Sequence, residues 1–155
     1  MRRSTTRTGC RAPGSPSTTP TPPAPVGAAR RSAEQPPLLS KPVGPYTPVV
    51  RAGDWLVVSG QVGLVDGSLI DGGVVAETRQ ALANMRSLLE AEGASLHDVV
   101  KTTVFMRHIS DYPIVNDAYG EIFGEHRPAR ATVAVAGLPL GALVEIEGWA
   151  WVGGR

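Results

Sequence analysis

Three charged residues near the end of the chain could do chemistry. The stretch RPARATVAVAGLPLGALVEIE, residues 127–147, is apolar and small apart from Arg127, Arg130, Glu145 and Glu147. A charge inside an apolar strand is costly unless it meets a partner or a ligand. Arg130 follows Pro128 at the mouth of a strand-like run. Its rigid fork suits a carboxylate, with charge-assisted hydrogen bonds of about 1.5–3 kcal/mol each. A surface ion pair is the plainer use of the same residue. Glu145 could pair with Arg130 or act as a general acid/base, and Glu147 shares its face in a regular strand, so spacing does not separate the two.

Other catalytic groups are poorly represented. There is no G-x-S-x-G elbow, no P-loop and no G-x-G-x-x-G after a strand. Three scattered histidines (His97, His108, His126) and one cysteine, Cys10, offer neither zinc spacing nor an internal disulfide. No metal site is expected. SGQVG (59–63) ends a strand with two glycines, which reads first as a bulge and second as a place where backbone meets a ligand.

These residues need elements to position them. VVRA and DWLVVSGQVG read as two strands joined at Gly53-Asp54, a tight hairpin turn. A second turn region, 66–73, surrounds a short strand. The 74–93 segment turns helical, with Leu82, Met85 and Leu89 on one face beside Ala81 and Leu88, and Gly93 as its stop. Ser95 and Asp98 have capping-box spacing, and 99–108 is a β-branched strand. A second helix follows around Pro113, with Ile114, Ala118 and Ile122 on its stripe, Val115 and Tyr119 adjoining, and Gly124 to end it. Runs 131–137 and 142–152 close the domain, expected as an antiparallel hairpin about Leu138-Pro139-Leu140. A symmetric register would put Glu145 near Thr132 or Val133, roughly 7–10 Å along the strand from Arg130 at ~3.3 Å per residue. Whether both point the same way hangs on one residue of register.

Two helices cannot cover both faces of such a sheet, so they are expected on one face. Yet both faces are apolar. Trp55 and Val57 oppose Leu56 and Val58, and Leu143, Trp149 and Trp151 oppose Val144, Ile146 and Val152. An uncovered apolar face implies self-association.

Residues 1–37 differ in kind. They hold eight of the fourteen prolines and six arginines against one acid, net +5, whereas 38–155 hold nine basic and thirteen acidic residues, net −4. The first segment cannot bury enough surface to offset its entropy and is read as a disordered tail, dispensable or an organelle address. The acidic domain, 38–155, argues against nucleic-acid binding. No run reaches the ~20 apolar residues of a membrane span. A cytoplasmic location is expected.

Residues 38–152 resemble the RidA/YjgF family of reactive-intermediate (enamine/imine) deaminases. The resemblance rests on GPYTPVVRAGDWLVVSGQV (44–62), ETRQALANMRSLLEAEGASLHDVVKTTVFM (77–106), VNDAYGEIFGEHRPARATV (115–133) and LPLGALVEIE (138–147). It implies a chorismate-mutase-like α+β domain, a mixed sheet with two helices on one face. It further implies a homotrimer whose sheets form a central barrel, with sites in clefts between subunits. It places the carboxylate-binding arginine at Arg130 and the acid that handles water or proton at Glu145. Tyr46, Ser59, Gly60 and Asn116 fall on the substrate-binding positions. The implied reaction hydrolyses a 2-imino or enamino acid, such as one derived from 2-aminoacrylate, to a 2-keto acid and ammonia, without metal or cofactor. A non-catalytic trimer that binds small carboxylates, and the ribonuclease activity attributed to some relatives, are the alternatives. Thr132 stands where many members carry cysteine, so no thiol-based regulation is expected at that point. Val62-Gly63 replaces an isoleucine-proline pair and Thr47 replaces serine, at positions that line or support the cleft and bear on substrate range.

Overall fold

The computed structural model describes residues 42–154. The tail read over 1–37, and Cys10 within it, lie outside the described residues. The elements run β1 (Val49–Ala52), β2 (Trp55–Gln61), β3 (Leu64–Val65), β4 (Ser68–Leu69), α1 (Gly73–Ala91), β5 (Val99–Met106), α2 (Tyr112–Phe123), β6 (Ala129–Ala134) and β7 (Val144–Trp151), with short 3-10 turns before β5, α2 and β7. This is an α+β domain. Its main sheet has the order β1-β2-β7-β5-β6, and β3-β4 form a separate hairpin about Asp66-Gly67.

The opening hairpin forms as read: Ala52 pairs with Trp55 around Gly53, whose φ of 61° suits glycine. Helix α1 ends in a Schellman arrangement at Gly93, with the amides of Gly93 and Ala94 donating to the carbonyls of Glu90 and Leu89. The Ser95–Asp98 capping box is present.

Two expectations need correction. Strands β6 and β7 are not a hairpin. β5 lies between them, parallel to β6 and antiparallel to β7. The burial stripe of α2 is also turned: Val115, Ala118, Tyr119 and Phe123 are buried, while Ile114 is 45% exposed and Ile122 only partly buried. Tyr119 draws the helix round, because its hydroxyl bonds Thr102 Oγ1 at 2.8 Å and its ring stacks on Phe123 at 4.5 Å. A buried tyrosine needs that polar partner.

Both helices pack on one sheet face. Leu56, Val58, Val104, Met106, Val144 and Ile146 meet Leu82, Met85 and Leu89 of α1 there. The helix-free face carries the alternate residues, among them Glu145, Glu147 and the aromatic group Trp55, Trp149 and Trp151. These tryptophans are 37–46% exposed, with Trp55 and Trp151 centroids 4.9 Å apart. No helix among the described residues is long and apolar enough to cross a membrane.

Candidate functional site

Arg130 enters on edge strand β6, level with Thr102 of β5, and so shares the helix-side face. Its Nη2 donates to Asn116 Oδ1 at 2.7 Å and to Tyr112 Oη at 3.3 Å. The guanidinium carbon lies 4.7 Å from the Tyr119 ring centroid and 5.8 Å from that of Tyr112. Aromatic faces attract a cation at such distances and fix its plane. Nε and Nη1 make no hydrogen bond among the described residues, so part of the fork is left for a ligand. The spacing of Tyr112, Asn116 and Tyr119, three or four residues apart, puts all three on one side of α2. The Asn116 and Arg130 hydrogen bonds, together with the Arg130 charge, hold the Tyr112 phenol below its usual pKa. Burial pushes Tyr119 up, against the Thr102 hydrogen bond and the charges of Arg130 and Arg127.

A cavity of about 1000 Å³ opens beside this group, lined by Tyr112, Asn116, Tyr119, Arg127, Arg130 and Thr132 among others. Thr132 shares the face of Arg130 two residues on.

Glu145 belongs to a second group. It is level with Phe105 on β5, and the Ile146–Val104 pair beside it is buried under the helices, so Glu145 points to the helix-free face. Its carboxyl lies against Gly60. Between Val58 and Gln61 the β2–β7 register slips, which makes the SGQ segment a bulge, as its glycine suggests. A Cβ on Gly60 would come 2.7 Å from the Glu145 carboxyl carbon, so only glycine admits this approach. Gln61 Nε2 closes the bulge by donating to the Ser59 and Gly60 carbonyls at 2.8 and 3.3 Å. Ser59 Oγ donates to the Thr47 carbonyl at 2.7 Å and its amide to the Pro48 carbonyl, which ties the segment carrying the exposed Tyr46 to the same strand end. Burial first, and the neighbouring charge of Glu147 second, raise the Glu145 pKa. Contact with Gly60 separates Glu145 from Glu147, which spacing alone does not.

The predicted site residues therefore form two half-sites. Asn116 and Arg130 stand together on the helix side, and Tyr46, Ser59, Gly60 and Glu145 gather at the bulge. The sheet separates the halves, with one strand's width on each side of β5, about 10 Å in all between β6 and β7. Tyr112, Tyr119 and Gln61 are absent from the sequence-based site; helical spacing to Asn116 is the signal that points to both tyrosines. No group of three or more potential metal ligands occurs among the described residues.

The family model described as Endoribonuclease L-PSP matches residues 38–152, the segment that holds both half-sites. The chain belongs to this family, the RidA/YjgF family. It is 45% identical over 107 residues to a mouse protein named 2-iminobutanoate/2-iminopropanoate deaminase, covering 68% of this chain and 79% of the mouse protein. The crystal structure of RidA from the Antarctic bacterium Psychrobacter superposes with a TM-score of 0.71 at 36% identity, covering 74% of this chain and 94% of that one. That of E. coli TdcF with bound serine gives 0.70 at 32% identity, covering 74% and 93%. Family membership and the α+β architecture thus agree with the resemblance read from the sequence.

Proposed function

We propose that this protein is a cytoplasmic hydrolytic deaminase of 2-imino acids, working as a chorismate-mutase-like homotrimer with its sites between subunits. One observation carries the reading: Arg130 is held by Asn116 and two tyrosines with donors left over, beside a cavity, while the one half-buried acid with a raised pKa lies on the other face. A small acid cannot reach both in one chain. A neighbouring copy that lays its bulge against the β6 edge would bring them together. The exposed tryptophans and the uncovered sheet face support such an assembly. The name of the mouse relative supports the reaction, and the serine bound in TdcF fits recognition of a small carboxylate.

In this mechanism the substrate carboxylate lies on Arg130, which fixes the imine carbon. Water approaches from the side of Glu145. The carboxylate takes a proton as the water oxygen bonds to that carbon, and the C=N electrons go to nitrogen. Glu145 passes that proton to the nitrogen, which gives a carbinolamine. It then moves the carbinolamine hydroxyl proton to the amine, the C–N bond breaks as the C=O bond forms, and 2-keto acid and ammonia leave. Burial that raises the Glu145 pKa makes it a better base, and general acid–base help of this kind is worth about 10²–10⁴ in rate. Ser59, Gly60 and Tyr46 line the approach. Positioning supplies much of the remainder.

The test generates imines with an amino-acid oxidase and traps them with semicarbazide. Wild type should suppress semicarbazone formation and Arg130→Ala should not. Failure of the folded wild type with imines of leucine, methionine, alanine and glutamate alike would leave a carboxylate-binding protein instead.

A further inference from the structure

The cavity that holds Arg130 holds a second cation. Arg127 lines it too, and the residues around it include no aspartate or glutamate. Neither arginine joins an ion pair among the described residues, where the pairs are Arg51–Glu92 and Arg79–Glu121. The one hydrogen bond Arg127 makes there is weak, from Nη1 to the carbonyl of adjacent His126 at 3.2 Å. Pro128, between the two arginines, restricts the backbone that sets their offset. Two uncompensated guanidinium groups thus face one cavity in a domain whose net charge is −4. Both charges are felt at the Tyr119 hydroxyl, which lines the same cavity. Like charges beside a shared cavity repel, and an anion between them removes that cost.

We infer that this cavity takes dicarboxylates, a 2-imino diacid and its 2-keto product, with the first carboxylate on Arg130 and the second on Arg127. The inference rests on the proposed role of Arg130 and assigns Arg127 the choice of substrate class. The reaction keeps both carboxylates: water adds at the imine carbon, ammonia leaves, and a 2-keto diacid remains. The supplying reaction would oxidise or eliminate from an acidic amino acid.

The experiment measures binding of 2-oxoglutarate and 2-oxobutyrate to the full-length protein by calorimetry at low ionic strength. Wild type should bind the diacid about tenfold more tightly, the size expected of one added charge-assisted contact. The ratio should fall to near one in Arg127→Gln and persist largely in Arg127→Lys, which keeps the charge. It should also shrink as salt rises. Equal affinities in wild type, or a preference that survives Arg127→Gln, would overturn the assignment, as would absence of binding by either acid. Imine trapping with glutamate and alanine as oxidase substrates runs alongside. A diacid preference in binding without imine hydrolysis would sink the deaminase reading and leave the dicarboxylate site standing. Hydrolysis with no such preference would do the reverse.

Discussion

Arg130 and Glu145 point to opposite faces of one sheet, on strands separated by β5. Each has a built environment, Asn116 and two tyrosines for the arginine, the Gly60 bulge for the acid. The pair can act on one small substrate only if they come from two copies of the chain.

Mixing variants tests that relationship directly. Arg130→Ala and Glu145→Gln should each be inactive alone. Unfolded, mixed in equal amounts and refolded together, they should regain activity. In a closed ring with one site per subunit contact, random assembly restores about a quarter of the sites. No recovery from oligomers shown to be mixed would put the site within one chain, contrary to the proposal.

Much of this was legible in the sequence, and the exception has a physical cause. Local signals placed the first hairpin, α1, the capping box and the alternation that sets Glu145 and Glu147 on the face of Trp149 and Trp151. Alternation within a strand is a local property. The relation of Arg130 to Glu145 is not, because it depends on which strand lies between β6 and β7. The turn at Leu138-Pro139-Leu140 looks like a hairpin loop, yet it carries the chain past β5. The inward turn of α2 likewise depends on Thr102, a distant residue that bonds Tyr119. Glu77 and Asn84 went unnoticed because buried polar groups on a helix leave no periodic signal of their own.

Gly60 should tolerate no side chain without loss of function. In Gly60→Ala the new methyl would displace the Glu145 carboxyl. A shift of about 1 Å in a catalytic group can cost on the order of 10²-fold. We expect a fall in kcat of that order. Both atoms involved sit at a partly buried bulge, so the melting temperature should change little. A variant that keeps full kcat would show that Glu145 need not sit against the bulge.

The raised pKa of Glu145 predicts the pH behaviour of both activity and stability. As a base it must be ionised, so activity should fall on acidification with a midpoint above that of an ordinary glutamate. For stability the sign is opposite. In the window above the ordinary carboxylate pKa the folded state binds more protons than the unfolded chain, so stability declines as pH rises through it. Glu145→Gln should lack this decline and be the more stable form at neutral pH. Melting curves of both proteins across the acid range check this. Parallel curves would contradict the burial of its charge.

Glu77 should prove to hold the start of β7 in place. It lies on α1, 5% exposed, and its Oε2 accepts the Leu143 amide at 2.8 Å, directly before the strand that carries Glu145. Its backbone and Cβ press on Gly63, where a Cβ would come 2.6 Å from the Glu77 Cα. Two helical turns further on, Asn84 Nδ2 donates to the Val62 and Leu64 carbonyls, which anchors the chain leaving β2. The buried polar face of α1 thus grips both strands of the Glu145 half-site from below. Glu77→Ala leaves the Leu143 amide without its acceptor, at a cost of about 1–3 kcal/mol. Glu77→Gln keeps an acceptor oxygen in the same place and should recover most of that loss. If the role were only stability, kcat at a temperature well below melting would not distinguish the variants. If Glu77 positions β7, kcat should fall in Glu77→Ala and return in Glu77→Gln. Denaturant unfolding and initial rates on the same three proteins decide between the two.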